Sequence, residues 1–113
     1  MKLFVAKSSI SGLGMFAGED IGVGQTLGVA FYSTSSLLTL RNDQLDMTIK
    51  RTTLGQYVNH ADIPNCNALM ADDLTGWTCE YVTRTPINKG QEVTVDYATL
   101  PWPGKRVFAH LTH

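Results

Sequence analysis

The sequence predicts a mostly-β domain with one short helical insertion. Three observations carry this reading. Short apolar segments rich in Val, Thr and aromatic residues recur along the 113 residues, separated by turn residues that include 10 Gly and 4 Pro. One segment, 67–84, alternates in the manner of a hairpin with one buried face. Only the stretch 33–53 lacks such alternation while carrying several helix-capping residues.

Taken in order, "KLFVAK" at residues 2–7 reads as a first strand, and "SSISGLG" breaks it. "GMFAGEDIGVGQTLGVAFY" holds two more apolar runs, divided at Asp20 to Gly24, where two glycines signal a turn. "STSSLLTLRNDQLDMTIKR" offers Ser, Thr and Asp caps around one leucine cluster, so residues 33–53 are expected to hold the helix, and a short one. "NALMADDLTGWTCEYVTR" folds back about Asp73-Leu74-Thr75-Gly76. On its second arm Trp77, Cys79, Tyr81 and Thr83 share one face, and Thr78, Glu80, Val82 and Arg84 the other. "TPINKGQEVTVDY" then gives two turns and a final strand.

Composition narrows the function classes. The chain is one domain, long enough for a modest core. With 43% apolar and 17% charged residues it is not a disordered chain. A net charge of −1 supplies no general attraction to nucleic acid or an anionic membrane, so neither is expected as a direct partner. No apolar run approaches the roughly 20 residues that cross a bilayer. The opening "MKLFVAKSS" does not read as a signal peptide, and a cytoplasmic location is expected. Cys66 and Cys79 are expected to be reduced thiols, and with three scattered histidines they complete no zinc set. No metal is expected.

Three polar stretches interrupt this plain picture. Gly12-Leu13-Gly14 follows the first strand, and a Gly-x-Gly turn lets main-chain groups come close to a ligand. No crossover helix follows it, which disfavours a dinucleotide fold. "TLGQYVNHADIPNCNALMADD" holds the pair Asn59-His60, with Pro64 four residues after His60 and Asn65 following it. "GQEVTVDYA" closes a strand with Glu92, Asp96 and Tyr97. Taken singly they read as a tight turn, a satisfied loop and a half-buried strand end.

In order and spacing the three stretches resemble the SET-domain family of protein lysine methyltransferases. "SSISGLGMFAGEDIGVGQTLG" is similar to S-x-I-x-G-x-G-x-F-A with a later I-x-x-G. "QYVNHADIPN" resembles R-F-x-N-H-S-x-x-P-N, and "GQEVTVDY" resembles G-E-E-[LIV]-T-x-D-Y. The likeness covers positions 8–27, 54–68 and 90–97. It implies the SET (β-clip) fold over residues 1–113: small curled sheets whose C-terminal segment passes under a preceding loop as a pseudoknot.

The resemblance also implies a chemistry. The cofactor would be S-adenosyl-L-methionine, released as S-adenosyl-L-homocysteine, and the partner a protein or peptide with an exposed lysine. Gly12, Leu13 and Gly14 would lie along the donor's methionine portion, Asn59 would hydrogen-bond it, and the His60 backbone would meet the adenine. Tyr97 matches the active-site tyrosine. Trp102, in the tail 98–113, would stack on adenine or wall the channel. Asp96 and Glu92 would serve the fold.

The chain departs from the pattern at several positions. Gln56 stands for the usual Arg, Ala61 for Ser, and Val95 for an aromatic. "NCNALM" and "ATLPW" lack the second tyrosine that many members carry, so the number of methyl groups added is open. The tail lacks the cysteine-rich zinc element of many eukaryotic members. This economy resembles stand-alone viral and bacterial SET proteins, which would place a viral member in the host cytoplasm, and a small member could complete its pocket as a homodimer. The alternative reading is a SET-like binding module without turnover.

Overall fold

The computed structural model describes residues 2–33, 50–73 and 75–99. β1 (Leu3–Lys7) and β2 (Leu13–Ala17) pair antiparallel as a two-stranded sheet. β3 (Thr26–Ser33), β4 (Lys50–Arg51), β5 (Asn59–His60), β6 (Cys66–Asp73), β7 (Gly76–Thr83) and β8 (Thr94–Val95) make a second sheet in the order β4-β3-β7-β6-β8-β5. α1 (Thr53–Tyr57) lies between β4 and β5, and a 3-10 turn (Tyr97–Thr99) follows β8. This is the mostly-β, small-sheet architecture that the sequence and its resemblance predict.

The hairpin expected from 67–84 is β6 and β7, in register from Cys66↔Thr83 to Asp73↔Gly76. Its alternation is physical: Trp77, Cys79, Tyr81 and Thr83 are buried, and the residues between them are half-buried. β3 covers the other side of β7, with register shifts between Thr26 and Gly28 and between Val29 and Phe31. Gly28 takes a φ of 135° at the first shift, where a residue with a Cβ would be strained. Such bulges bend a strand and strengthen its twist, which curls the sheet around Phe31 and Tyr81, packed edge to face at 6.4 Å.

The stretch 33–53, where the helix is expected, meets strand at its described margins before α1 begins at Thr53. Ser33 closes β3, and Lys50 and Arg51 pair with Tyr32 and Phe31 as β4. Residues 34–49 lie outside the described residues. The described helix is α1, in a Thr-Leu-Gly-Gln-Tyr segment of poor intrinsic propensity. Its tertiary contacts explain it. Thr52 caps the first turn, accepting from Gly55 N at 3.3 Å while donating to Val29 O at 2.7 Å. Leu54 and Gly55 are buried against β3.

The C-terminal segment threads as the resemblance implied. β8 pairs in parallel with β5 through Asn59↔Thr94 and His60↔Val95, and with β6 through Cys66↔Val95. β5 and β6 are neighbours in sequence but not in space, because β8 lies between them. Asn65 secures this arrangement from the connecting loop. Its Nδ2 donates to Glu92 O at 2.8 Å, its Oδ1 accepts from Thr94 N at 2.8 Å, and its own amide donates to Thr94 Oγ1 at 3.2 Å. The side chain does what a strand backbone would do where β6 has not yet begun.

Cys66 and Cys79 are free and buried, opposite Thr83 and Met70 respectively. Burial pushes each thiol up to about 12, with the Glu80 charge adding to the rise at Cys79. Among the described residues no helix is long and apolar enough to cross a membrane.

Two outcomes follow. Gly to Ala inside a helix ordinarily gains up to about 1 kcal/mol, but a methyl group on Gly55 would overlap the Ala30 carbonyl oxygen and lie 3.2 Å from the Phe31 ring. Gly55→Ala should therefore lose about 1–3 kcal/mol in urea denaturation, and an unchanged midpoint would refute this packing. Iodoacetamide at pH 8 should label neither cysteine in the folded protein, where thiolate is roughly one part in ten thousand. Labelling at the rate of an open thiol would contradict their burial.

Candidate active site

The three polar stretches meet at one edge of the molecule. The β1–β2 turn brings Ser8 N to Gly12 O at 2.9 Å. By the alternation of an antiparallel ladder, the Leu13 amide and carbonyl then point away from β1. The two glycines serve different ends. Gly12 adopts a φ of 46°, in the left-handed region that side chains avoid. Gly14 is buried, and a methyl group there would overlap Glu92 Oε2 and lie 2.9 Å from Glu92 Cδ.

Glu92 is the centre of a compact network. Ser8 Oγ lies 2.7 and 2.8 Å from its two carboxylate oxygens, and Ile10 N donates to Ser8 Oγ at 2.9 Å. Asn59 Nδ2 lies 2.9 Å from Glu92 Oε2, 3.1 Å from Ser8 Oγ, 3.1 Å from Ser11 O and 3.3 Å from Leu13 O. The side chain of Asn59 thus holds the glycine turn, and its main chain sits in the ladder with Thr94.

Tyr97 closes the other side. Its hydroxyl donates to Val58 O at 2.5 Å, and its amide donates to His60 Nδ1 at 3.2 Å. The rings of His60 and Tyr97 lie 5.6 Å apart. His60 Nε2 lies 3.0 Å from Asp62 Oδ1, and Nδ1 lies 3.5 Å from Asp96 Oδ1. Asp96 caps the 3-10 turn through Ala98 N at 2.9 Å. Burial raises the Tyr97 phenol above its ordinary range, and the Arg51 charge draws it part of the way back. Tyr97 is therefore a neutral phenol at working pH.

Gly12, Leu13, Gly14, Asn59, His60 and Tyr97 are brought into one neighbourhood. Trp102 lies outside the described residues. Sequence reasoning gave no role to Ser8 or to the Val58 carbonyl. Ser8 sits inside the first motif, but its partner is 84 residues away, and no local pattern announces such a pair.

A β domain in which a strand threads between two neighbours, carrying a tyrosine to the Val58–His60 segment that also holds a glycine turn, defines a narrow class. Residues 12–98 match the family model described as SET domain, and the chain belongs to that family. Comparison with curated proteins finds no matching sequence. Among solved structures, a Plasmodium falciparum protein described as a histone methyltransferase is similar, with a TM-score of 0.66 at 20% identity over 88% of this chain and 95% of that one. Two humanized Chaetomium thermophilum Polycomb Repressive Complex 2 structures, bound to the inhibitors GSK126 and GSK343, give a TM-score of 0.63. Their identities are 21% and 23%, over 92% and 94% of this chain and 16% of each of those chains.

The network has a measurable coupling. In a double-mutant cycle, Ser8→Ala and Glu92→Gln should each destabilise the fold and share a coupling of about 1 kcal/mol. Strict additivity would show that the hydroxyl and carboxylate do not interact.

Proposed function

We propose that this chain is an S-adenosyl-L-methionine-dependent protein lysine methyltransferase. The observation that supports it most is the convergence of the Ser11–Gly14 turn, the Asn59–His60 strand and the Tyr97 phenol, joined through hydrogen bonds of Asn59, His60 and Val58.

The residues present suit the donor. Ser11, Gly12 and Leu13 are exposed, and a Cβ at Gly12 would meet nothing within 4 Å, so main chain is open to a ligand there. Ser11 O and Leu13 O lie within reach of Asn59 Nδ2, whose two N–H groups are shared with Ser8 and Glu92, and each carbonyl keeps a lone pair for an ammonium group. Gly12, Leu13 and Gly14 would hold the methionine portion, with Asn59 fixing the turn, and His60 would flank the adenine. S-adenosyl-L-methionine supplies a methyl carbon on a sulfonium sulfur and leaves as S-adenosyl-L-homocysteine.

The lysine nitrogen forms the new bond with its lone pair, so it must first lose a proton that it holds with a pKa of about 10.4 in water. Desolvation and a nearby positive charge both favour the neutral amine. Tyr97 takes no proton: a phenol raised above its ordinary range is a poor base. Its hydroxyl donates to Val58 O, which would fix the phenol where it helps orient the amine. Alignment of nitrogen, carbon and sulfur supplies most of the acceleration. The ammonium proton leaves to water.

The test uses the purified chain, tritiated donor and a whole-cell lysate, with a core histone mixture as a second acceptor pool. Donor binding by calorimetry together with label in discrete proteins is expected. Binding without transfer to any pool would favour an inactive SET-like module. Tyr97→Phe should lower transfer by at least about 100-fold while leaving donor affinity unchanged. Undiminished turnover in that variant would remove Tyr97 from the chemistry.

A further inference from the structure

The small β1–β2 sheet ends in an open edge. Among the described residues β1 pairs with β2 alone. Two backbone bonds, Gly18 N to Lys2 O and Ser8 N to Gly12 O, fix which residues of this arm face β2. By the alternation of an antiparallel ladder these are Lys2, Phe4, Ala6 and Ser8, so Leu3, Val5 and Lys7 turn their amides and carbonyls outward. Such an edge is a template for another strand, and proteins commonly blunt it with charge, proline or a bulge. The middle of this edge carries none of these. Phe4 and Val5 occupy it, 45% and 38% exposed.

The edge is complementary to itself. Leu3, Val5 and Lys7 are symmetric about Val5, so a two-fold axis at that residue pairs Val5 with Val5 and Leu3 with Lys7 of a second copy. Every outward residue then meets an outward residue, and each pair exchanges both of its bonds. Between them fall the close, non-bonded pairs, Phe4 opposite Ala6 and Lys2 opposite Ser8. Phe4 stacks on Phe16 at 5.7 Å within its own sheet. Ala6 and Gly14 continue that row on the same face with almost no side chain. Large thus meets small on both sides of the axis, each copy setting its phenylalanine into the notch that the other leaves over Ala6.

Charge follows the same register. Ser8 Oγ lies against both oxygens of the Glu92 carboxylate, and Gly14 lets that carboxylate lie on the face it shares with Ala6. Lys2 of the second copy arrives opposite Ser8, beside this negative charge, and the axis repeats the match on the other side. Lys7 falls opposite Leu3, not opposite another lysine. A strand from an unrelated protein would share the backbone bonds but not this two-fold match of ring, notch and charge.

We propose that two copies of this chain pair antiparallel through the outer edges of β1, making one four-stranded sheet in the order β2-β1-β1-β2. The contact is a single five-residue strand, narrower than the roughly 800 Å² per partner of a standard interface. The dimer therefore forms with rising concentration and parts on dilution. It lies on the strand that leads into the glycine turn, but it does not depend on what the chain catalyses.

Sedimentation equilibrium from about 1 μM to about 1 mM spans the affinity of so small a contact, and the wild-type chain should pass from monomer to dimer within it. Val5→Pro removes an amide that faces away from β2, so the fold keeps its own ladder while the central pair loses both bonds. The dissociation constant should rise at least about tenfold, with the melting temperature unchanged. Lys2→Glu, at an exposed side chain before β1, should weaken the dimer through charge, and more at low salt than at high. An added thiol reads the register, because the cysteines already present are buried. Across the axis two Val5→Cys residues have Cα atoms about 5.5 Å apart, within disulfide range. Two Lys7→Cys residues lie about 13 Å apart along the strands. Mild oxidation should link the first pair at least about tenfold faster than the second. A wild-type chain that stays monomeric throughout would overturn the pairing and leave the edge to a strand of another protein. A dimer indifferent to Val5→Pro, or equal linking rates at positions 5 and 7, would overturn it too.

Discussion

The candidate site depends on β8 lying between β5 and β6. β5 and β8 are each two residues long, too short to hold a parallel pairing on ladder bonds alone, and parallel strands demand long connections whose closure costs entropy. Side chains make up the difference. Asn65 presents its amide to the backbone of residues 92 and 94 as a strand would. Asn59 and Ser8 then hold the Glu92 side chain from the other side. With β8 withdrawn, Tyr97 would lose both Val58 and His60, and the glycine turn would lose the carboxylate packed beneath Gly14.

Much of this was legible in the chain, and the physics explains which part. The β6–β7 hairpin and the buried face of β7 follow from period-two alternation, which is local, and Trp77 to Thr83 obey it without exception. The motif segments were readable as ordered residue types. α1 was not legible, because it has a glycine at its centre and forms through contact of Leu54 and Gly55 with β3. Tertiary packing overrode propensity there. The Ser8–Glu92–Asn59 network was not legible at all. It depends on residues far apart in sequence.

Burial shapes the electrostatics of the site. Cys66, Cys79, Tyr81 and Tyr97 all titrate above their ordinary ranges because burial penalises their anions. The buried phenols and thiols of this inner surface therefore stay uncharged, while the Asp96 carboxylate lies 3.5 Å from His60 Nδ1 and accepts from Ala98 N. Glu92 is the carboxylate nearest the glycine turn, and it is engaged by Ser8 and Asn59. Negative charge thus lies under the turn proposed for the cationic donor.

Three consecutive residues couple the two sides. Val58 accepts from the Tyr97 hydroxyl, Asn59 grips the carbonyls of Ser11 and Leu13, and His60 accepts from the Tyr97 amide. In-line transfer tolerates little error, since a displacement of about 1 Å between reacting groups costs on the order of a hundredfold in rate. If each side were anchored on its own element, independent motions of those elements would add to that error. Anchored on one short strand, the glycine turn and the tyrosine shift together when the strand shifts, and their separation is preserved. The threaded topology makes this possible, because only a strand with β8 alongside and the β1–β2 turn within side-chain reach can touch both.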